Sequence, residues 1–93
     1  MNLSDTIGMM TSDDYRERFK AEYYQTKIRY EKLKAFNNKI EAAIALMDHA
    51  PLKRIEMPKH DCPEYLLIEQ QRVMGEYLHF LEIRAVIEGI ELI

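Results

Sequence analysis

From residue 12 to residue 48 the chain contains neither Gly nor Pro, and its larger side chains return at alternating steps of four and three. Phe19, Thr26, Leu33, Ile40 and Met47 fall on one seam position, and Tyr23, Tyr30, Asn37 and Ile44 on the other. This is a heptad pattern, and it predicts one continuous helix with a partner along its length. At 1.5 Å per residue such a helix spans roughly 55 Å. Thr26 and Asn37 interrupt the seam, and polar residues there fix register or oligomer order at some cost in stability. Ala21, Ile28, Ala35 and Ala42 draw a second, thinner apolar line, so the helix offers a face to a second neighbour. The run 42–47, AAIALM, is apolar all round and predicts burial on several sides.

A second helix is predicted over 63–90. Leu66, Val73, Tyr77, Phe80 and Ile87 form one stripe along it, and Leu67, Met74, Leu78, Leu81 and Ala85 the adjacent one. Two stripes are more than one partner helix can cover. Gly75 sits inside this helix, where it costs about 1 kcal/mol against Ala, and a close approach would explain it. Pro51 and Pro58 place a connection at 49–62, pinned by Leu52, Ile55 and Met57. Asp61, Pro63 and Glu64 read as a capped helix start. Upstream, Thr11 or Ser12 is the expected cap of the long helix, and residues 1–11 form an arm or short helix docked on a neighbour. The chain therefore divides into that arm and a hairpin domain over 12–93. Two such helices cannot cover both faces of each other. The fold class is all-α: a long antiparallel helical hairpin assembling into a multi-helix homo-oligomeric bundle.

Composition narrows the function. At 93 residues the chain is a single domain, and 47% hydrophobic content is too apolar for disorder. A net charge of -3 excludes a general nucleic-acid binder. No apolar run reaches membrane-spanning length, and the acidic N-terminus lacks the basic start of a signal peptide. Cys62 stands alone and suits a reducing compartment, so the expected location is the cytoplasm.

The charge is unevenly distributed. Seven Lys and Arg stand against three Glu over 15–34, whereas seven acids stand against two Arg from residue 61 onward. Lys20, Lys27 and Lys34 recur every seven residues, and pairing with Glu69, Glu76 and Glu82 of the second helix is their plain structural role. The basic half also interleaves cations with tyrosines, and cations beside aromatic faces can pair phosphates while stacking a base. Arg16, Lys20, Tyr23, Tyr24 and Lys27 are the candidate ligand-binding residues. Tyr24 lies off the seam, so core packing does not account for it, whereas Tyr23 and Tyr30 lie on it. His49, His60, Asp61 and Cys62 fit no standard zinc spacing, and no phosphate loop or nucleophile motif is present. No enzyme activity, metal or cofactor is expected.

Two segments, DYRERFKAEYYQTKIRYEKL and MPKHDCPEYLLIEQQRVMGEYLHFLEIRAVIEGIEL, resemble a family of small phage and prophage proteins described as related to a crAss-like phage protein. The likeness covers most of residues 14–92, including the Cys-Pro helix start and the closing EYL-x-x-LE-x-R-A-x-IEG pattern. The chain is also similar in size and hairpin architecture to phage anti-defence sponge proteins, small helical oligomers that keep nucleotide signals from bacterial immune effectors. That likeness implies a homo-oligomer holding a cyclic oligonucleotide or an ADP-ribose derivative in pockets between subunits. The alternative is a helical interaction module or inhibitor, anti-CRISPR-like or accessory, with no small-molecule ligand.

Overall fold

The computed structural model describes residues 1–47 and 55–92. Among them every regular element is helical: a 3₁₀ turn at Leu3–Thr6, then α1 Ile7–Met10, α2 Tyr15–Leu46 and α3 Glu64–Glu88. Helices α2 and α3 pack antiparallel, and the whole measures 55 × 25 × 23 Å. None of the described helices is long and apolar enough to cross a membrane.

Local chemistry sets the boundaries. Helix α2 begins later than the cap pattern predicts, because Thr11 is engaged by the preceding element: its hydroxyl donates to the Ile7 carbonyl at 3.2 Å. Asp14 takes over as cap, its carboxylate accepting the Arg16 N–H at 2.9 Å. At the start of α3 it is Pro63, not Asp61, that holds the cap position, without a side-chain bond. The C-terminus of α3 is a Schellman turn. Gly89 has φ 69°, Ile90 donates its N–H to the Ala85 carbonyl at 2.8 Å, and Ile90 turns inward to a buried position. The end of the chain thus closes its own core. A side chain at Gly89 would be forced into the left-handed region at about 1–2 kcal/mol. Gly89→Ala should lower the melting temperature by about 5 °C or more, read by circular dichroism.

The residues before α2 fold onto it. Asn2 and Asp5 form a reciprocal capping box, with bonds of 3.1 and 2.8 Å. Thr6 is wholly buried; it donates to the Leu3 carbonyl and accepts from Gln25 Nε2 at 2.9 Å. This segment packs along the second apolar line of α2, where Ala21 is fully enclosed. The neighbour anticipated for that line is the chain's own N-terminus.

The core lies at the open end of the hairpin. Phe19, Tyr23, Tyr24, Leu78, Leu81, Ala85 and Ile90 make one buried cluster, with Met9, Tyr30 and Leu92 packed against it. The adjacent stripe of α3 therefore faces α2, as Leu78, Leu81 and Ala85 show. Gly75 admits the Tyr30 ring, which would stand 3.3 Å from any added Cβ. At the other end Asn37 is buried, donating to the Leu67 carbonyl at 3.2 Å and to Gln71 at 2.8 Å. Ile44 and Met47 are exposed rather than buried on several sides, since one hairpin supplies α2 with one long neighbour. Ile55 and Met57 are also exposed and do not pin the connection; His49, Pro51 and Leu52 lie outside the described residues.

Candidate functional site

The anticipated Lys–Glu ladder between α2 and α3 does not form. Arg72 instead takes both Glu69 and Glu76 on its own helix, the latter at 2.6 Å. Lys20 sits 3.7 Å from Glu17, one turn back on α2. The helices are linked by tyrosine hydroxyls donating to carboxylates: Tyr15 to Glu88 at 2.8 Å, Tyr23 to Glu82 at 2.9 Å, and Tyr77 to Glu22. Arg84 adds a bond to the Tyr15 hydroxyl at 2.8 Å and lies 5.1 Å from the centre of the Phe19 ring. A tyrosine satisfies a carboxylate without neutralising it, and without consuming a cation. Among the described residues, Lys27 and Lys32 accordingly make no ion pair.

Lys27 is the hub of the surface that results. Its ammonium lies 5.8 Å from the centre of the Tyr23 ring, within cation–π range. It lines three cavities at once. The largest, an open groove of about 580 Å³, is walled by Met1, Tyr24, Lys27, Ile28, Glu31 and Lys32. It exists because the N-terminal segment runs beside α2 and raises a wall against it. The second, about 270 Å³, lies between Tyr23, Lys27, Glu82, Ala85, Val86, Ile90 and Leu92. The third, about 220 Å³, adjoins it along Tyr23, Lys27, Tyr30, Glu31, Gly75, Leu78 and Glu82. Concavities thus exist within one chain, made by the N-terminal wall and by the packing notch at Gly75.

Tyr23, Tyr24 and Lys27 are brought together; Arg16 and Lys20 line none of these three cavities. The Arg16 guanidinium donates to the carbonyls of Gly89 at 2.9 Å and Glu88 at 3.1 Å, satisfying the end of α3. Tyr24 is only 9% exposed and belongs to the core, its ring edge-on to Tyr23 with centroids 5.6 Å apart. Core packing does account for it, because the N-terminal segment and the returning C-terminus enclose a broader face than the heptad seam. Tyr24 forms floor rather than a free stacking platform. Burial and the Glu82 carboxylate together push the Tyr23 hydroxyl up to about 12, so it stays protonated as a donor across the physiological range.

Ile28, Glu31 and Lys32 line the groove and are not among the candidate ligand-binding residues predicted from the sequence. Ile28 is visible in sequence as part of the second apolar line, and the Asn2–Asp5 box signals the turn that builds the wall. Elsewhere, the His60 ring donates from Nδ1 to the Cys62 carbonyl at 2.7 Å, and Cys62 is exposed. Among the described residues no three His, Cys, Asp or Glu side chains converge as a metal site.

The model of one protein family, Sequestin, matches residues 13–87, which take in nearly all of α2 and α3. The chain belongs to the Sequestin family. No curated protein and no solved structure matches it.

Proposed function

We propose that this protein is a non-enzymatic sponge that binds and sequesters a nucleotide-derived immune signal, a cyclic oligonucleotide or an ADP-ribose derivative, on behalf of a phage. The family's name points to the sequestering of a molecule. The observation that carries the nucleotide reading is Lys27, an unconsumed cation above an aromatic ring at the meeting of three cavities. Phosphates pair with Lys27 and Lys32, while the apolar floor of Tyr24 and Ile28 receives a base or ribose. A volume of about 580 Å³ falls within the range of small-molecule sites. The groove is open on one side, and a second copy of the chain closes it, which places the bound signal between subunits. Sequestration needs the ligand held intact, and a cation, an aromatic floor and a protonated hydroxyl are groups that hold a ligand without transforming it.

Native mass spectrometry against cyclic dinucleotides, cyclic trinucleotides and ADP-ribose derivatives tests this directly. The protein should gain an intact ligand mass and release the ligand unaltered on denaturation; hydrolysed product or no uptake from the whole panel overturns the reading. Lys27→Ala should weaken binding at least tenfold, about 1.4 kcal/mol, by titration calorimetry. Lys20→Ala, which removes a cation of the same helix that lines none of the three cavities, should preserve both fold and most of the affinity. Equal loss in both variants would mean that Lys27 is not the ligand's cation.

A further inference from the structure

The outer stripe of α3 is left without a partner. Leu66, Val73, Phe80 and Ile87 are 49%, 49%, 62% and 78% exposed. They recur every seven residues over about 32 Å of helix, with Tyr77 half-exposed beside them. Monomers seldom leave a continuous apolar strip of this length in water. Its spacing is symmetric about a point between Glu76 and Tyr77. An antiparallel second α3 therefore sets the stripe on itself, with Leu66 level with Ile87 of the second copy and Val73 level with its Phe80. A two-fold interface requires this kind of self-complementarity: whatever one copy presents, the other must receive.

We infer that two copies of this chain associate through an antiparallel α3–α3 contact along Leu66, Val73, Phe80 and Ile87, joining two hairpins into a four-helix unit. The contact is separate from the closure of the Lys27 groove by a further copy in the sponge reading, and it stands on surface features that reading does not use. The flank of α3 carrying Gly75, Glu82 and Val86 faces the Lys27 cavities and lies on another side of the helix. Pairing through the outer stripe leaves Lys27 open to ligand and to a further subunit.

Sedimentation velocity over a concentration series, with the full chain, reads the outcome. The wild type should associate, and Phe80→Glu should weaken association at least thirtyfold while retaining helicity by circular dichroism. Ile68→Glu changes an exposed apolar residue that belongs neither to the outer stripe nor to the Lys27 cavities and should leave association unchanged. Spin labels in a Cys62→Ser background then fix the direction of pairing. Labels at Glu76→Cys should lie within about 15 Å of each other in the dimer, and labels at Tyr65→Cys about 35 Å apart at 1.5 Å rise per residue. A monomer at every concentration, association indifferent to Phe80→Glu, or two equally short label distances overturns the inference. Ligand uptake is scored separately. A wild-type dimer that binds nothing sinks the sponge and spares the interface, and a ligand-binding monomer does the reverse.

Discussion

Replacing Phe19 by Ala should remove about 3–5 kcal/mol of stability, the usual cost of deleting a buried aromatic side chain. For a domain of this size the whole folding free energy is of the order of 5–14 kcal/mol, so one substitution takes a large share of it. The position explains the size of the effect. Phe19 is 3% exposed and sits in the one cluster where α2, α3 and the returning C-terminus converge. Its ring also carries the Arg84 guanidinium, whose other bonds hold Tyr15 and Glu88, so the cavity left behind would loosen a polar tie between the helices as well. Ile44 is the informative comparison: on the same heptad pattern but 43% exposed, its change to Ala should cost less than about 1 kcal/mol. Urea denaturation of both variants measures the difference through the midpoint at constant slope. Similar losses at the two positions would mean that the far half of α2 is as tightly enclosed as the core.

That contrast shows where the pattern of the chain is legible and where it stops. The absence of Gly and Pro and the four-three periodicity define α2, because a helix needs only local propensity and one apolar face to be recognised. They also find Phe19, Tyr23, Thr26, Asn37 and Ile40, which are buried. The same periodicity treats Ile44 and Met47 as equivalent to Phe19, since repetition says nothing about how far a partner extends. The two stripes of α3 were readable too, but only contact geometry separates the inward one from the outward one.

The candidate site was legible in its elements and not in its grouping. Arg16, Lys20 and Lys27 look alike as cations on one basic helix, yet Arg16 satisfies the end of α3 and Lys20 leans on Glu17. That sorting depends on Gly89 halting α3 where Arg16 can reach its carbonyls, a coincidence of two chain ends far apart in sequence. Opposite helix charges suggested lysine–glutamate pairs, but a tyrosine hydroxyl reaches a carboxylate across a tightly packed seam with a rigid ring. Three such pairs displace the ladder and leave Lys27 available.

Those tyrosine–carboxylate pairs make the hairpin sensitive to alkali. Burial, followed by the bond to Glu82 and its charge, pushes the Tyr23 hydroxyl from 10.0 up to about 12. A raised folded-state value means that the folded chain holds the proton more tightly than the unfolded chain. The resulting stability is fully present below pH 10, is lost as pH rises through 10 toward 12, and is gone above it. Two units correspond to about 2–3 kcal/mol. Tyr15, raised first by its bond to Glu88, and Tyr77, raised first by its bond to Glu22, move in the same direction. Chemical denaturation at a series of pH values should show stability level below pH 10 and falling steeply above it. Tyr23→Phe separates this mechanism from general alkaline repulsion. The variant forfeits about 1 kcal/mol at neutral pH with the lost hydrogen bond and leaves Glu82 to water. It should then lose distinctly less than the wild type between pH 10 and 12, because the buried proton that must leave is no longer there. Parallel decline of the two proteins would show that the Tyr23 hydroxyl ionises without cost to the fold, and the seam would then owe its stability to the rings alone.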